Sequence, residues 1–127
     1  MTATTEATPV RVLVVEDNDD QRALLQAVLR RAGCEVHAVG TAEEAMETIA
    51  SARPELAIVD LLLPGVDGWE LVRRLGDAVP SCPVAVASVL EERRFPPGVL
   101  GLPKPFTREQ VLSALQRAVP RWAGAGR

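Results

Sequence analysis

Five polar side chains stand out because each closes or directly follows a short apolar run. They are Glu16 and Asp17 after RVLVV, Asp60 after LAIV, Ser88 at the end of VAVAS, and Lys104 just beyond LGLP. Glu16 and Asp17 by themselves read as an acidic turn before a helix, and Lys104 by itself as a solvated lysine. A charge that ends an apolar run such as LAIVD is seldom buried without a partner. If the runs were neighbouring strands, three carboxylates, one hydroxyl and one ammonium group would meet at one edge. Clustered carboxylates cannot all stay ionised without a cation. A hard divalent ion such as Mg²⁺, with oxygen ligands, answers that need. A carboxylate between Mg²⁺ and an ammonium group is suited to accept a phosphoryl group, a transfer that depends chiefly on charge neutralisation and in-line positioning.

The intervening segments decide whether such a meeting can happen. Val10 to Val15, Glu35 to Val39, Leu56 to Asp60, Pro83 to Ala87 and Val99 to Leu102 read as strands. Between them Leu24, Leu25, Val28, Leu29 and Ala32 recur at helical spacing until Gly33. Asn18 is positioned to cap that helix, with Asp19 and Asp20 in its first turn. Thr41 with Glu44, and Thr107 with Gln110, are spaced as capping boxes at two further helix starts. A third helix is expected from about Trp69 to Ala78, after the turn residues Pro64, Gly65, Asp67 and Gly68. The fourth connection, from Val89 to Gly98, is anomalous: LEERR has room for about one helical turn, and the prolines of FPPG cannot continue it. Alternation of strand and helix implies a parallel sheet covered on both faces. The expected fold is α/β, a flavodoxin-like, doubly wound, five-stranded parallel sheet of order 2-1-3-4-5. Its helix between strands four and five is expected to be truncated or missing. In that order ligands sit at the carboxyl ends of the strands, where the five polar residues fall.

Composition supports one domain. The chain has 127 residues, 47% hydrophobic and 24% charged, with only 3% aromatic, so the core must be aliphatic. Residues 1–9 read as a disordered leader, 10–120 as the domain and 121–127 as a loose tail, with Trp122 exposed. A net charge of −3 gives no electrostatic basis for nucleic acid or an anionic membrane as partner. Arg73 and Arg74 are the nearest thing to a basic patch and read as a solvated helix face. Cys34 and Cys82 lack metal-site spacing and are expected to be free thiols. No leader with a basic start and apolar core is evident, so a cytoplasmic location is expected. His37 reads as an edge residue, and Ser88 has no histidine partner for a hydrolase triad. A Mg²⁺-dependent phosphatase with an aspartate nucleophile would carry a second Asp two residues on, where this chain has Leu62.

The segments VLVVEDN, IVDLLLPGVDGWEL, PVAVAS and PKPF, in that order, resemble the bacterial two-component response-regulator receiver domain. The resemblance runs from residue 10 to 119 and implies a free-standing receiver in a phosphorelay. It implies that Asp60 is the phosphoacceptor. Asp17, Glu16, Asp60 and the carbonyl of Leu62 would serve the Mg²⁺ site, with Glu16 acting directly or through water. Ser88 and Lys104 would bind the phosphoryl group, and the Lys104–Pro105 bond would be cis. It further implies a sensor histidine kinase or histidine phosphotransfer protein as donor, a downstream protein target, and no catalysis beyond its own phosphorylation and dephosphorylation. Three departures from the family pattern stand out: the short segment between Ser88 and Lys104, Gly101 in place of an aromatic residue, and Val89 in place of Ala or Gly, where it could crowd Asp60. They leave a second reading, a pseudo-receiver acting as a constitutive protein-interaction module.

Overall fold

The fully apolar runs VLVV, LAIV and VAVA are buried along their length, which suits central strands covered on both faces. The computed structural model describes residues 8–122. Its strands are β1 (Arg11–Val15), β2 (Glu35–Val39), β3 (Leu56–Val59), β4 (Val84–Ser88) and β5 (Leu100–Pro103). The helices are α1 (Asp19–Arg31), α2 (Ala42–Ala52), α3 (Gly68–Ala78) and α4 (Arg108–Ala118). All strand pairs are parallel, in the order β2-β1-β3-β4-β5. None of the described helices is long and apolar enough to cross a membrane.

Alternation along the strands splits the interior into two aliphatic layers. Val12, Val14, Ile58, Ala85 and Ala87 meet Leu25 and Leu29 of α1 and Val111 and Leu115 of α4. Leu13, Val15, Ala57, Val59 and Val86 meet Ala45 and Ile49 of α2 and Leu71 and Leu75 of α3. Cys34 and Cys82 lie in different layers as free thiols, and burial pushes both up to about 11.

Side-chain oxygens of Asn18, Thr41, Asp67 and Thr107 cap the four helices, each accepting the N–H three residues on. The box expected at Thr41 closes differently. Glu44 takes the N–H of Gly40 at 3.0 Å, whereas Gln110 takes that of Thr107 at 2.7 Å and completes its box.

The connection from β4 to β5 contains no α-helix, only the 3₁₀ turn Glu92–Arg94. Leu90, Phe95 and Val99 close the sheet there, packing in the layer that also holds Trp69, Val66 and Val72. The Trp69 indole N–H donates to the Arg94 carbonyl at 3.2 Å and ties the short connection to α3. Gly101 is covered by the Glu92 carboxylate, which a side chain at that position would displace.

The chain ends differ from expectation where they are described. Arg121 is not loose: it grips both Glu55 oxygens at 2.8 and 2.9 Å and donates to the Thr8 and Pro9 carbonyls. Trp122 is half-buried, its indole N–H on the Ala32 carbonyl at 2.8 Å. Helical periodicity ends at α4 and carries no signal for side chains that fold back across the sheet edge. The remaining leader and tail positions, 1–7 and 123–127, lie outside the described residues.

This edge contact makes stability pH-dependent. The Arg121 guanidinium, with help from Arg11, holds the Glu55 carboxyl below its ordinary range despite partial burial. A depressed folded value means the stabilisation is present above the unfolded carboxyl value and is lost as pH falls through the folded one. Glu55→Gln should cost roughly 0.5–1 kcal/mol near neutrality, a half-exposed ion pair being worth little more. In urea denaturation the gap from wild type should close below about pH 4. A gap unchanged at low pH would refute the assignment.

Candidate functional site

Register brings the predicted residues to one edge. Val15 pairs with Val59, so Glu16 and Asp60 emerge side by side from β1 and β3. Val59 pairs with Val86 and Ser88 with Pro103, so Ser88 and Lys104 leave the same edge from β4 and β5. Backbone bonds lock this alignment: Glu16 N–H on Val39, Asp60 N–H on Val15, and Lys104 N–H on Ser88. The Lys104–Pro105 peptide is cis, as the resemblance implies.

Glu16 is 1% exposed and Asp60 7%, while Asp17 is exposed. Lys104 Nζ donates to Glu16 Oε1 at 2.6 Å and to Asp60 Oδ2 at 3.1 Å. The other oxygen of each buried carboxylate accepts a backbone N–H, from Asn18 at 3.1 Å and from Leu62 at 2.9 Å. Ser88 is fully buried, and its hydroxyl oxygen accepts the Leu90 N–H at 3.4 Å. Gly68 is required by close approach: its N–H bonds the Leu61 carbonyl, and a Cβ would strike Leu61 Cα and the Asp60 carbonyl.

Oxygens of Glu16, Asp17 and Asp60 lie within 4.8 Å of one another. One lysine cannot neutralise three carboxylates. Burial raises the Glu16 carboxyl above its ordinary value, outweighing the Lys104 and Asn18 bonds that lower it. For Lys104 burial is the largest single influence and acts downward, but the bonds to Glu16 and Asp60 together outweigh it, so the ammonium is held above its ordinary value. The residues present therefore fit a divalent cation: an all-oxygen donor set, excess negative charge, and lone pairs left on each carboxylate.

Two features were not legible in the residues alone. Lys104 makes its shorter bond to Glu16, and backbone amides of Asn18 and Leu62 hold the carboxylates. Val89 is 67% exposed and lines a cavity of about 350 Å³ with Gln21, Leu24, Lys104 and Phe106. His37 sits on the edge strand beside Glu35, apart from the site. Arg73 and Arg74 both pair with Glu70, leaving no basic patch there.

A family model for the response regulator receiver domain matches residues 12–116. The chain belongs to this family. The receiver is 37% identical over 121 residues to the virulence transcriptional regulatory protein PhoP of Salmonella typhimurium, covering 91% of this chain and 54% of that protein. It is 33% identical over 124 residues to the response regulator MprA of Mycolicibacterium vanbaalenii, covering 89% and 52%. The chain thus spans about half the length of these curated relatives. Among solved structures it resembles the chemotaxis response regulator CheY4 of Vibrio cholerae, with a TM-score of 0.80 and 28% identity over 88% of this chain and all of that one. The NtrX receiver domain of Brucella abortus gives a TM-score of 0.76 at 28% identity, covering 87% and 98%. The fold and the signalling role of the receiver family therefore apply to this chain.

Proposed function

We propose that Asp60 accepts a phosphoryl group from a phosphohistidine on a sensor histidine kinase or histidine phosphotransfer protein. The observation that carries this reading is the Lys104 ammonium bridging Glu16 and Asp60 inside an acidic cluster that lacks enough positive charge. The P–N bond of the donor breaks as an Asp60 oxygen bonds to phosphorus, and the donor histidine leaves as a neutral imidazole after taking a proton. Asp17, Asp60, Glu16 and the Leu62 carbonyl would hold Mg²⁺, which neutralises charge on the transferring oxygens. Lys104 follows the charge onto the phosphoryl group, and the Ser88 hydroxyl, whose hydrogen is not used by the Leu90 N–H, donates to one of its oxygens.

The surroundings support a protein donor. Leu24 at 52%, Leu62 at 47% and Val89 at 67% are the large hydrophobic residues exposed among those described, and all three flank the site in sequence or line the cavity beside Lys104. The output is read as a contact with a downstream protein, made in the cytoplasm without nucleic acid or membrane by a unit that takes in Thr8 and Pro9 at one end and Arg121 and Trp122 at the other. Incubation with Mg²⁺ and a phosphohistidine donor should add one phosphoryl group by intact mass. An unchanged mass with the protein donor, and no beryllofluoride response, would leave only the constitutive module.

Phosphorylation should also reorganise residues 88–103. A charge added beside Lys104 competes for Ser88, whose hydroxyl holds the Leu90 N–H at the start of the connection. Amide exchange with beryllofluoride should change protection across this stretch and at the Trp69 anchor. Identical protection in both states would end the idea.

A further inference from the structure

A cavity of about 600 Å³ lies at the opposite end of the sheet from Asp60 and belongs to none of the chemistry above. Three arginines line it, Arg11 at the start of β1, Arg53 at the end of α2 and Arg121 after α4, against the single carboxylate of Glu55 among the described lining residues. Its walls include Ile49, Val79 and Val119.

We propose that this cleft binds a small organic anion carrying about two negative charges on an apolar body, with phosphate monoesters as the fitting class. Among the described lining residues three guanidinium groups face one carboxylate, an excess of two positive charges, in a chain whose net charge is −3. A phosphate monoester carries roughly −1.5 to −2 at neutral pH. Two of the arginines are also held in place before any ligand arrives. Arg121 is clamped on both Glu55 oxygens, and Arg11 Nε donates to the Arg53 carbonyl at 2.7 Å while its Nη1 stands 3.6 Å from Glu55. Such preorganisation lowers the ordering cost of binding. Arg53 adds an independent observation. It has φ +46°, the one non-glycine residue of positive φ among those described, at a helix end where glycine or asparagine is the unstrained choice. Its side chain is exposed, without an ion-pair partner among the described residues, on a residue that lines the cleft. The volume lies within the roughly 300–1,000 Å³ of small-molecule sites, whose walls are mostly apolar with a few placed polar groups.

The test is a titration of the isotopically labelled full chain with phenyl phosphate, followed by amide NMR. A chelator is present so that the acidic cluster holds no divalent ion. Inorganic phosphate and phenol serve as separate arms. Saturable shifts should map to Ala50, Arg53, Glu55, Ser81 and Arg121, and added salt should weaken them. Phenyl phosphate should bind about tenfold or more tightly than inorganic phosphate, a difference of ~1.4 kcal/mol. Arg53→Gln and Arg11→Gln should each weaken binding several-fold, with the remaining spectrum unchanged. Shifts absent, confined to the Asp60 end, equal for inorganic phosphate, or insensitive to Arg53→Gln would each overturn the proposal. None of these results depends on whether Asp60 is phosphorylated.

Discussion

Asp60→Asn should take up no phosphoryl group from a phosphohistidine donor, with the rate falling by at least ~100-fold because an amide nitrogen is not a nucleophile in this chemistry. No neighbour can substitute. Glu16 is buried with one oxygen on Lys104 and the other on the Asn18 N–H. Asp17 is exposed and does not share the Lys104 ammonium that bridges the other two. Asparagine keeps an oxygen for the Leu62 N–H, so the loop after β3 should hold its shape and the loss should be chemical. Asp77→Asn, on the exposed face of α3, is the matched control and should be phosphorylated like wild type. Intact-mass measurement over a time course with Mg²⁺ reads both. Uptake by Asp60→Asn at a rate near wild type would show that another residue is the acceptor.

Lys104→Met should be the most destabilising of the conservative changes at the site. The Lys104 side chain as a whole is 12% exposed and faces the side chains of Glu16 and Asp60, which are 2% and 9% exposed. Removing one partner from a buried charge cluster costs about 3–5 kcal/mol, because the remaining charges are left uncompensated. The effect should be rescued in a diagnostic way. With Lys104 gone, Glu16, Asp17 and Asp60 have no cation between them, so added Mg²⁺ should raise the urea midpoint of the variant more than that of wild type. Glu16→Gln should cost less in the Lys104→Met background than alone, since the two residues share one bond. A loss below about 1 kcal/mol, with no difference in Mg²⁺ response, would mean that the cluster is more hydrated than its burial implies.

Much of this molecule was legible in its residues. The apolar runs, their βα alternation and the prolines at Pro96 and Pro97 were enough for the sheet order and for the missing helix between β4 and β5. They sufficed because parallel strands buried on both faces must read as continuous aliphatic runs, and because proline cannot extend a helix. The carboxylates, Ser88 and Lys104 were legible for a related reason: a polar residue ending a buried strand is an exception to burial and therefore informative.

What needed the tertiary structure is of another kind. The preference of Lys104 for Glu16, the N–H groups of Asn18 and Leu62 on the carboxylates, and the Trp69 hook on Arg94 depend on ångström-scale placement of groups far apart in the chain. The grip of Arg121 on Glu55, and the guanidinium cleft it shares with Arg11 and Arg53, belong to the same class. Sequence patterns report periodic burial, one residue against its local neighbours. They carry no signal for which exposed arginine folds back on which strand end, because that choice is made only after the sheet and helices have packed.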